Sequence, residues 1–202
     1  MSGPREGREF SLLAPAGYYI ALRVGFAFPV AEHNALPDAW VELYTQRGYM
    51  LYDPVVRWSY ENSGAIRWSE IPLPDPRNVL AMAAQYGLGY GVAIACAPSG
   101  REGQRSFGSF ALSDREYEDE EIEILQSKLL RLHEATAPPT NLTRAELEAL
   151  SMVRDGLLLK EIANRLGVSE GAIKQRLKSA KLKLDAKTSS QAVSVAVAYG
   201  LI

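Results

Sequence analysis

A run of basic side chains near the carboxyl terminus has the residue types and spacing that DNA recognition requires. Between residues 174 and 183 the chain carries no acid. Lysine can donate hydrogen bonds to guanine, glutamine can pair with adenine, and neighbouring cations neutralise phosphates. The segment therefore predicts a DNA-contacting surface. Its basic members are Lys174, Arg176, Lys178, Lys181 and Lys183, and Gln175 lies among them.

The helix that opens this carboxyl-terminal region has clear boundaries in the sequence. Thr143 and Glu146 have the spacing of a capping box, in which the two side chains satisfy each other's free backbone N–H groups. Gly156 is expected to end the helix, because glycine readily takes the left-handed conformation found at helix ends. Leu147 and Leu150 fall on one stripe, which predicts a face packed against neighbouring helices.

Three more helices complete a helix-turn-helix pattern. A helix over residues 160–166 leads into a turn over residues 167–169, and Ser169 caps the next helix. In that helix apolar residues recur at intervals of four, three and four, which turns the basic residues outward. A last helix over residues 190–199 closes the small core. The predicted inward residues are Ile173, Leu177, Ala180 and Leu184, and the predicted DNA-binding residues are Lys160, Ser169, Lys174, Gln175, Lys178 and Lys181.

Charge divides the chain into two parts. Residues 140–202 carry ten Lys and Arg against six Asp and Glu, a net charge of +4, whereas residues 1–139 carry 12 against 18, a net charge of −6. An isolated basic run is more often a solvated helix face, but its helix-turn-helix setting favours DNA contact. Two prolines within residues 135–141 predict a linker. We expect a first domain over residues 1–134 and a helical domain over residues 142–202.

The composition excludes several classes of function. The single cysteine, Cys96, excludes a disulfide within the chain and lies in an apolar run, where we expect it to be buried. With two histidines and no glycine-rich phosphate loop, the sequence offers neither a nucleophile–base pair nor a metal set, so we predict no enzyme and no cofactor. No stretch approaches the roughly 20 apolar residues of a membrane span, and the start lacks a signal-peptide core, so we expect a cytoplasmic protein.

The first part of the chain alternates strand and helix patterns. Apolar and β-branched runs predict strands, and amphipathic segments predict helices between them. The helix after the last strand has an apolar seam that packs either on its own sheet or on a partner. We therefore predict an α+β protein with an α-β-α sandwich before the helical domain. Strands are predicted over residues 18–28, 91–97 and 106–112, and helices over residues 37–44, 77–86 and 118–133.

Five polar or amphipathic residues in apolar settings are candidates for a ligand site. Each alone is weak evidence, because a tryptophan is usually part of a core and an aspartate before proline usually belongs to a turn. Their order along the chain is more informative. The candidates are Trp40, Tyr44, Asp53, Trp68 and Ser109.

These residues, in this order, resemble the LuxR family of quorum-sensing transcription regulators over residues 17–202. In that family a domain that binds an acyl-homoserine lactone precedes a helix-turn-helix. In the first domain the matching positions are Trp40 and Tyr44, the segment 53–56, Trp68 with Ser69, and Gly91, and in the second they are Glu146, Leu150 and Gly156.

The resemblance implies roles for the candidate residues. Trp40 would donate its N–H to the lactone carbonyl, Tyr44 would donate to the acyl carbonyl, and Asp53 would accept from the ligand amide. Ser109 would add a second donor. The resemblance also implies a homodimer that binds a pseudopalindromic promoter site on double-stranded DNA, with ligand shifting the population of the DNA-competent form.

The amino terminus departs from the family pattern in the sequence. The family usually places one or two helices before the first strand, whereas residues 1–16 contain two prolines, two glycines and little helical period. We therefore expect a poorly structured start over residues 1–16. This departure supports an alternative function, a ligand-independent or protein-partnered regulator whose first domain serves dimerisation and binds no lactone.

Overall fold

The chain folds into two compact units of different construction. The computed structural model describes residues 4–25, 29–97 and 104–202, the side chains of residues 4–8 excepted. One unit runs to Thr136 apart from residues 25–30, and the other covers Ala137–Ile202. The first combines a sheet with helices and the second is helical, so the fold class is α+β. No helix among the described residues is both long and apolar enough to cross a membrane.

A five-stranded antiparallel sheet in the order β2-β1-β5-β4-β3 forms the centre of the first unit. The three predicted strands correspond to β1, β4 and β5. The first is predicted to reach residue 28, but β1 ends at Val24, and residues 26–28 lie outside the described residues. Two short strands escape prediction because four residues are too few for a clear period. The strands are β1 (Gly17–Val24), β2 (Ala31–Asn34), β3 (Gly64–Arg67), β4 (Tyr90–Ala95) and β5 (Arg105–Leu112).

Two helices, α1 (Pro4–Leu13) and α5 (Asp119–Ala135), cover one face of the sheet. The α1 helix shows that the prediction of a poorly structured start is wrong for these residues. Pro4 lies in the first turn, where its missing N–H removes no helical hydrogen bond. The Phe10 ring stacks on Phe110 at 5.5 Å. The apolar seam of α5 packs on its own sheet, with Leu125, Leu129 and Leu132 buried.

Three helices lie on the opposite face and complete the α-β-α sandwich: α2 (Asp38–Gln46), α3 (Pro54–Glu61) and α4 (Val79–Ala84). Short 3-10 helices over Tyr49–Leu51 and Trp68–Glu70 connect them with the strands. The α3 helix escapes prediction, because Asp53 before Pro54 also has the pattern of a turn. Proline at the first helical position is in fact favourable.

A buried polar network joins the end of β1 to the end of α5. The Arg23 guanidinium donates through Nε and Nη2 to the carbonyl of His133, at 2.9 and 2.6 Å. The hydroxyl of Ser106 lies 2.8 Å from Nδ1 of His133. Burial, assisted by the Arg23 charge, lowers the pKa of His133 to about 4, so the imidazole is neutral near pH 7.

The second unit contains four helices around one core: α6 (Arg144–Arg154), α7 (Leu159–Leu166), α8 (Glu170–Lys183) and α9 (Ser189–Ala198). The predicted capping box of α6 is present, with Thr143 N–H donating to Glu146 at 2.7 Å. Gly167 has a φ of 64° and ends α7, and Ser169 caps α8. The inward residues of α8 are the four predicted ones, Ile173, Leu177, Ala180 and Leu184.

Candidate ligand-binding and DNA-binding sites

Small side chains cover the centre of the sheet face that carries α2, α3 and α4. Seven of nine paired positions on β1, β5 and β4 are Gly, Ala or Ser. The other face carries large residues at the neighbouring positions, among them Ile20, Phe110 and Ile94. Short side chains leave room between sheet and helices, so we call these nine residues the floor of a candidate pocket. Its three rows are Gly17–Ala111–Gly91, Tyr19–Ser109–Ala93 and Ala21–Phe107–Ala95.

A buried hydrogen-bonded pair connects α2 with the start of α3. The Tyr44 hydroxyl donates to Oδ2 of Asp53 at 2.8 Å. Oδ1 of Asp53 accepts from the N–H groups of Val55 and Val56, at 2.8 and 3.4 Å, and thereby caps α3. Burial raises the pKa of Asp53, although these hydrogen bonds act to lower it. Burial and the nearby Asp53 likewise raise the pKa of Tyr44.

Aromatic rings fix the position of Trp40, which is buried on α2. Its ring lies 5.5 Å from Tyr44, 6.0 Å from Tyr49 and 5.7 Å from Tyr86, measured between ring centroids. These distances are typical of favourable aromatic pairs. Trp40 and the Tyr44–Asp53 pair therefore form one preorganised group.

Trp68 packs directly on the floor at Gly91. A methyl group at Gly91 would come within 2.3 Å of the indole ring, so only glycine allows this approach. The Nε1–H group of Trp68 is buried and has no hydrogen-bond partner in the described part of the chain. A buried donor without a partner is costly, which makes this N–H a candidate for a ligand acceptor.

Ser109 lies at the middle of the floor and is half-buried. Its neighbours across the strands are Tyr19 and Ala93. Tyr19, like Tyr44, packs against the apolar cluster between the sheet and the helices α2, α3 and α4. All five sequence-predicted ligand residues thus lie on the same side of the sheet or on the sheet face that points to it.

The floor itself does not emerge from the sequence alone. Its signal is present, because Gly91, Ala93 and Ala95 alternate with larger residues in one predicted strand, as do Ser109 and Ala111 in another. Such alternation of small and large residues marks a strand with one spacious face. Which strands pair, and in which register, must be known before the rows can be recognised.

The predicted DNA-binding side chains occupy one surface of the helical unit. Lys174, Gln175 and Lys178 of α8 are exposed, and Lys181 is partly exposed. Lys160 and Ser169, near the starts of α7 and α8, are exposed as well. The Ser169 oxygen accepts from Ala172 N–H at 3.2 Å, which leaves its hydroxyl proton available to an outside acceptor.

Lys183 does not belong to the free basic face on which the sequence placed it. Its Nζ lies 2.8 and 2.9 Å from the two carboxylate oxygens of buried Glu146. Ser179 donates to the same carboxylate at 2.6 Å. The lysine instead fixes α8 to the capped start of α6. Periodicity alone could not show this, because the partners are 37 residues apart.

Comparison with known protein families assigns both units. Residues 22–136 match the autoinducer binding domain, and residues 140–196 match the bacterial regulatory proteins of the luxR family. The chain belongs to the LuxR family. It is a quorum-sensing transcription regulator with an autoinducer-binding domain followed by a helix-turn-helix DNA-binding domain.

Relatives that match this LuxR-family regulator over most of their length are transcriptional regulators. The transcriptional activator protein VanR of Vibrio anguillarum is 30% identical over 181 residues, which cover 82% of this chain and 75% of VanR. The regulatory protein SdiA of Escherichia coli is 25% identical over 184 residues, covering 86% and 77%. These relatives are not enzymes, and no catalytic family is indicated.

Solved structures share the fold of this LuxR-family regulator. A crystal structure of Escherichia coli SdiA aligns with 100% of this chain and 93% of its own, with a TM-score of 0.56 and 25% identity. SdiA in complex with octanoyl-rac-glycerol aligns with the same TM-score, at 24% identity. The sandwich and the helical unit therefore occur together in a solved protein.

Proposed function

We propose that the autoinducer of this regulator is an acyl-homoserine lactone and that Trp40, Tyr44, Asp53, Trp68 and Ser109 bind its head group. The observation that carries the proposal is the buried Tyr44–Asp53 pair beside a floor of small residues. A lactone head group offers two carbonyl acceptors and one amide donor. The site offers the matching donors and one carboxylate acceptor.

The hydrogen-bond capacity of Asp53 suits the ligand amide. A carboxylate has about four lone-pair sites, and three are engaged by Tyr44, Val55 and Val56. An amide N–H of the ligand can take the fourth. The unpartnered Nε1–H of Trp68 is a further donor for a ligand oxygen. A ligand without these polar groups would leave buried atoms unpaired, so the site would discriminate against it.

The helical unit is proposed to bind a pseudopalindromic promoter site as a homodimer in the cytoplasm. In helix-turn-helix dimers the two recognition helices enter major grooves about one helical turn apart. α8 would be the recognition helix, with Lys174, Gln175 and Lys178 towards the bases and Lys160, Ser169 and Lys181 towards the phosphates. Ligand would act by shifting the population of the dimer that binds DNA.

The alternative of a regulator that binds no lactone has lost its main support. That support was a start without helix, whereas α1 packs Phe10 against the sheet. The lactone-responsive function is therefore the one that these observations favour.

Ligand retention tests the proposal. The full chain is expressed in cells supplied with a mixture of alkyl and aryl homoserine lactones, purified, and extracted for mass spectrometry. We expect the wild type to retain a lactone and Asp53→Asn to retain at least about tenfold less, because a hydrogen bond to a charged group contributes about 1.5–3 kcal/mol. The control is Asp38→Asn, at an exposed position in the first turn of α2. Wild-type protein that retains no lactone, or Asp53→Asn protein that retains as much as Asp38→Asn, would contradict the assignment.

A further inference from the structure

Three aromatic residues close one end of the floor. The rings of Tyr60, at the end of α3, and Phe107, on β5, lie 5.3 Å apart. The ring of Tyr19, on β1, lies 6.4 Å from Phe107. We call Tyr19, Tyr60 and Phe107 the aromatic end of the site. Trp68 lies at the opposite end of the floor, over Gly91.

Small side chains of the floor flank the aromatic end. Phe107 pairs across the strands with Ala21 and Ala95, so methyl groups flank its ring on the floor. Tyr60 is 41% exposed although its ring contacts Phe107. The space over the short side chains beside Phe107 is where we place the end of the ligand.

The helix α3 connects the head-group residues with the aromatic end, and its length gives the distance between them. Asp53 caps its start and Tyr60 lies seven residues later, which corresponds to roughly 10 Å at the helical rise. Ser109 and Phe107 are alternate residues of β5, roughly 7 Å apart. An acyl group whose carbonyl lies at Tyr44 therefore extends along the floor towards Tyr60 and Phe107. A benzene ring two or three bonds beyond that carbonyl spans this distance.

The aromatic end terminates in polar groups, which disfavours a long alkyl chain. The Tyr19 hydroxyl donates to Glu32 on the edge strand β2 at 3.1 Å. Extended methylene groups would meet this carboxylate and hydroxyl. They would displace the water around these polar groups and offer no hydrogen bonds in its place. An aromatic ring ends earlier and packs edge-to-face against the tyrosines, each such pair contributing to binding beyond its buried area.

From this geometry we infer that the acyl group of the ligand is aromatic, and that Tyr60 and Phe107 select it. The inference rests on the proposed function, since it concerns the tail of a homoserine lactone whose head group binds at Asp53. It assigns to Tyr60 a role in specificity that the head-group residues do not have. Head-group contacts are common to all acyl-homoserine lactones, whereas the aromatic end contacts only the variable part.

Calorimetric titration of the full chain tests the inference with two probes of similar carbon number, cinnamoyl- and octanoyl-homoserine lactone. We expect the wild type to bind the cinnamoyl compound about tenfold more tightly, as two aromatic pairs provide. Tyr60→Leu removes one ring from a partly exposed position, and we expect the preference to fall to about threefold or less. Tyr90→Leu is the matched control, because Tyr90 has similar exposure and lies two residues before Val92, on the face of the sheet opposite to the floor. Its preference should equal that of the wild type.

The possible outcomes separate the inference from the function on which it rests. If octanoyl-homoserine lactone binds as tightly as the cinnamoyl compound, the aromatic tail is wrong and the lactone function stands. If the cinnamoyl compound is preferred but Tyr60→Leu keeps the full preference, the assignment to Tyr60 is overturned. If neither probe binds and no lactone is retained on expression, both proposals fail. Melting temperatures of the two variants near that of the wild type show that each is folded.

Discussion

The Tyr44 hydroxyl can donate one hydrogen bond, and Asp53 accepts it in this structure. A ligand carbonyl that accepts from Tyr44 must therefore compete with the carboxylate. Asp53 keeps its hydrogen bonds to the start of α3 in either case, so its own position is fixed by the helix cap. Ligand binding then exchanges one buried hydrogen bond for another. Such exchange costs little and makes recognition depend on the geometry of the ligand's polar atoms.

At the scale of residues, Gly91→Ala should strongly reduce ligand retention. The added methyl carbon would lie 2.3–2.6 Å from three atoms of the Trp68 ring, which no side-chain adjustment of a few tenths of an ångström relieves. Trp68 must move off the floor, taking its unpartnered N–H with it. Mass spectrometry should find at least about tenfold less lactone, and the melting temperature should fall by several degrees, as overpacking costs about 1–3 kcal/mol.

A control for this prediction is available at a glycine with free space. A methyl group added at Gly171, in the first turn of α8, would lie 3.7 Å from the Ser169 side-chain oxygen, an ordinary van der Waals contact. Gly171→Ala should leave lactone retention unchanged. Normal retention by Gly91→Ala would mean that Trp68 does not contact the ligand.

At the scale of elements, one carboxylate holds two helices of the DNA-binding domain together. Burial alone would raise the pKa of Glu146, but hydrogen bonds from Lys183, Ser179 and Thr143 outweigh it and lower the pKa to about 2. The charged form is therefore favoured by folding. Its contribution to stability is complete above the ordinary pKa of 4.5 and is lost as the pH falls from there towards 2.

Glu146→Gln should loosen α6 and α8 and remove this acid sensitivity. The amide carries no negative charge, which leaves the partly buried Lys183 ammonium without its counter-charge. We expect hydrogen exchange of both helices in the full chain to report about 2 kcal/mol less protection at pH 7, and a weaker dependence on pH below 4.5. Glu148→Gln, at an exposed position of α6, should change neither quantity. Equal protection in the two variants would show that the buried ion pair does not stabilise the domain.

Elements defined by local signals were predictable from the sequence. The capping box of Thr143 and Glu146 and the cap at Ser169 involve residues within three positions of each other, so their pattern is visible in one dimension. Two helices that escape prediction begin with a proline, Pro4 in α1 and Pro54 in α3, and proline more often breaks a helix than begins one. Local signals mark boundaries well only when the position of proline within the first turn is considered.

At the scale of the whole molecule, what the sequence could not supply was the pairing of distant segments. The five candidate ligand residues are predicted as a set through their order, and their position on one side of the sheet becomes visible only with the sheet register. The same holds for Lys183, whose ammonium group forms an ion pair with the distant Glu146. Composition alone identified the negatively charged first part and the positively charged second part of the chain, because counting charges requires no knowledge of contacts.

The charge division leads to a prediction for DNA binding by the whole chain. Lys174→Ala combined with Lys178→Ala removes two exposed cations from α8, and fluorescence anisotropy on a selected promoter duplex should show at least about thirtyfold weaker specific binding, since each base contact contributes about 1–3 kcal/mol. If both lysines contact phosphates instead, the loss extends to unrelated duplexes and the slope of log K against log salt falls by about two.

The control is Lys187→Ala, at an exposed position between α8 and α9. It removes a positive charge outside α8 and should change the affinity for the specific duplex little. Wild-type affinity in the double variant would remove α8 from the DNA interface, because Lys174 and Lys178 are the exposed cations at the centre of its outward face.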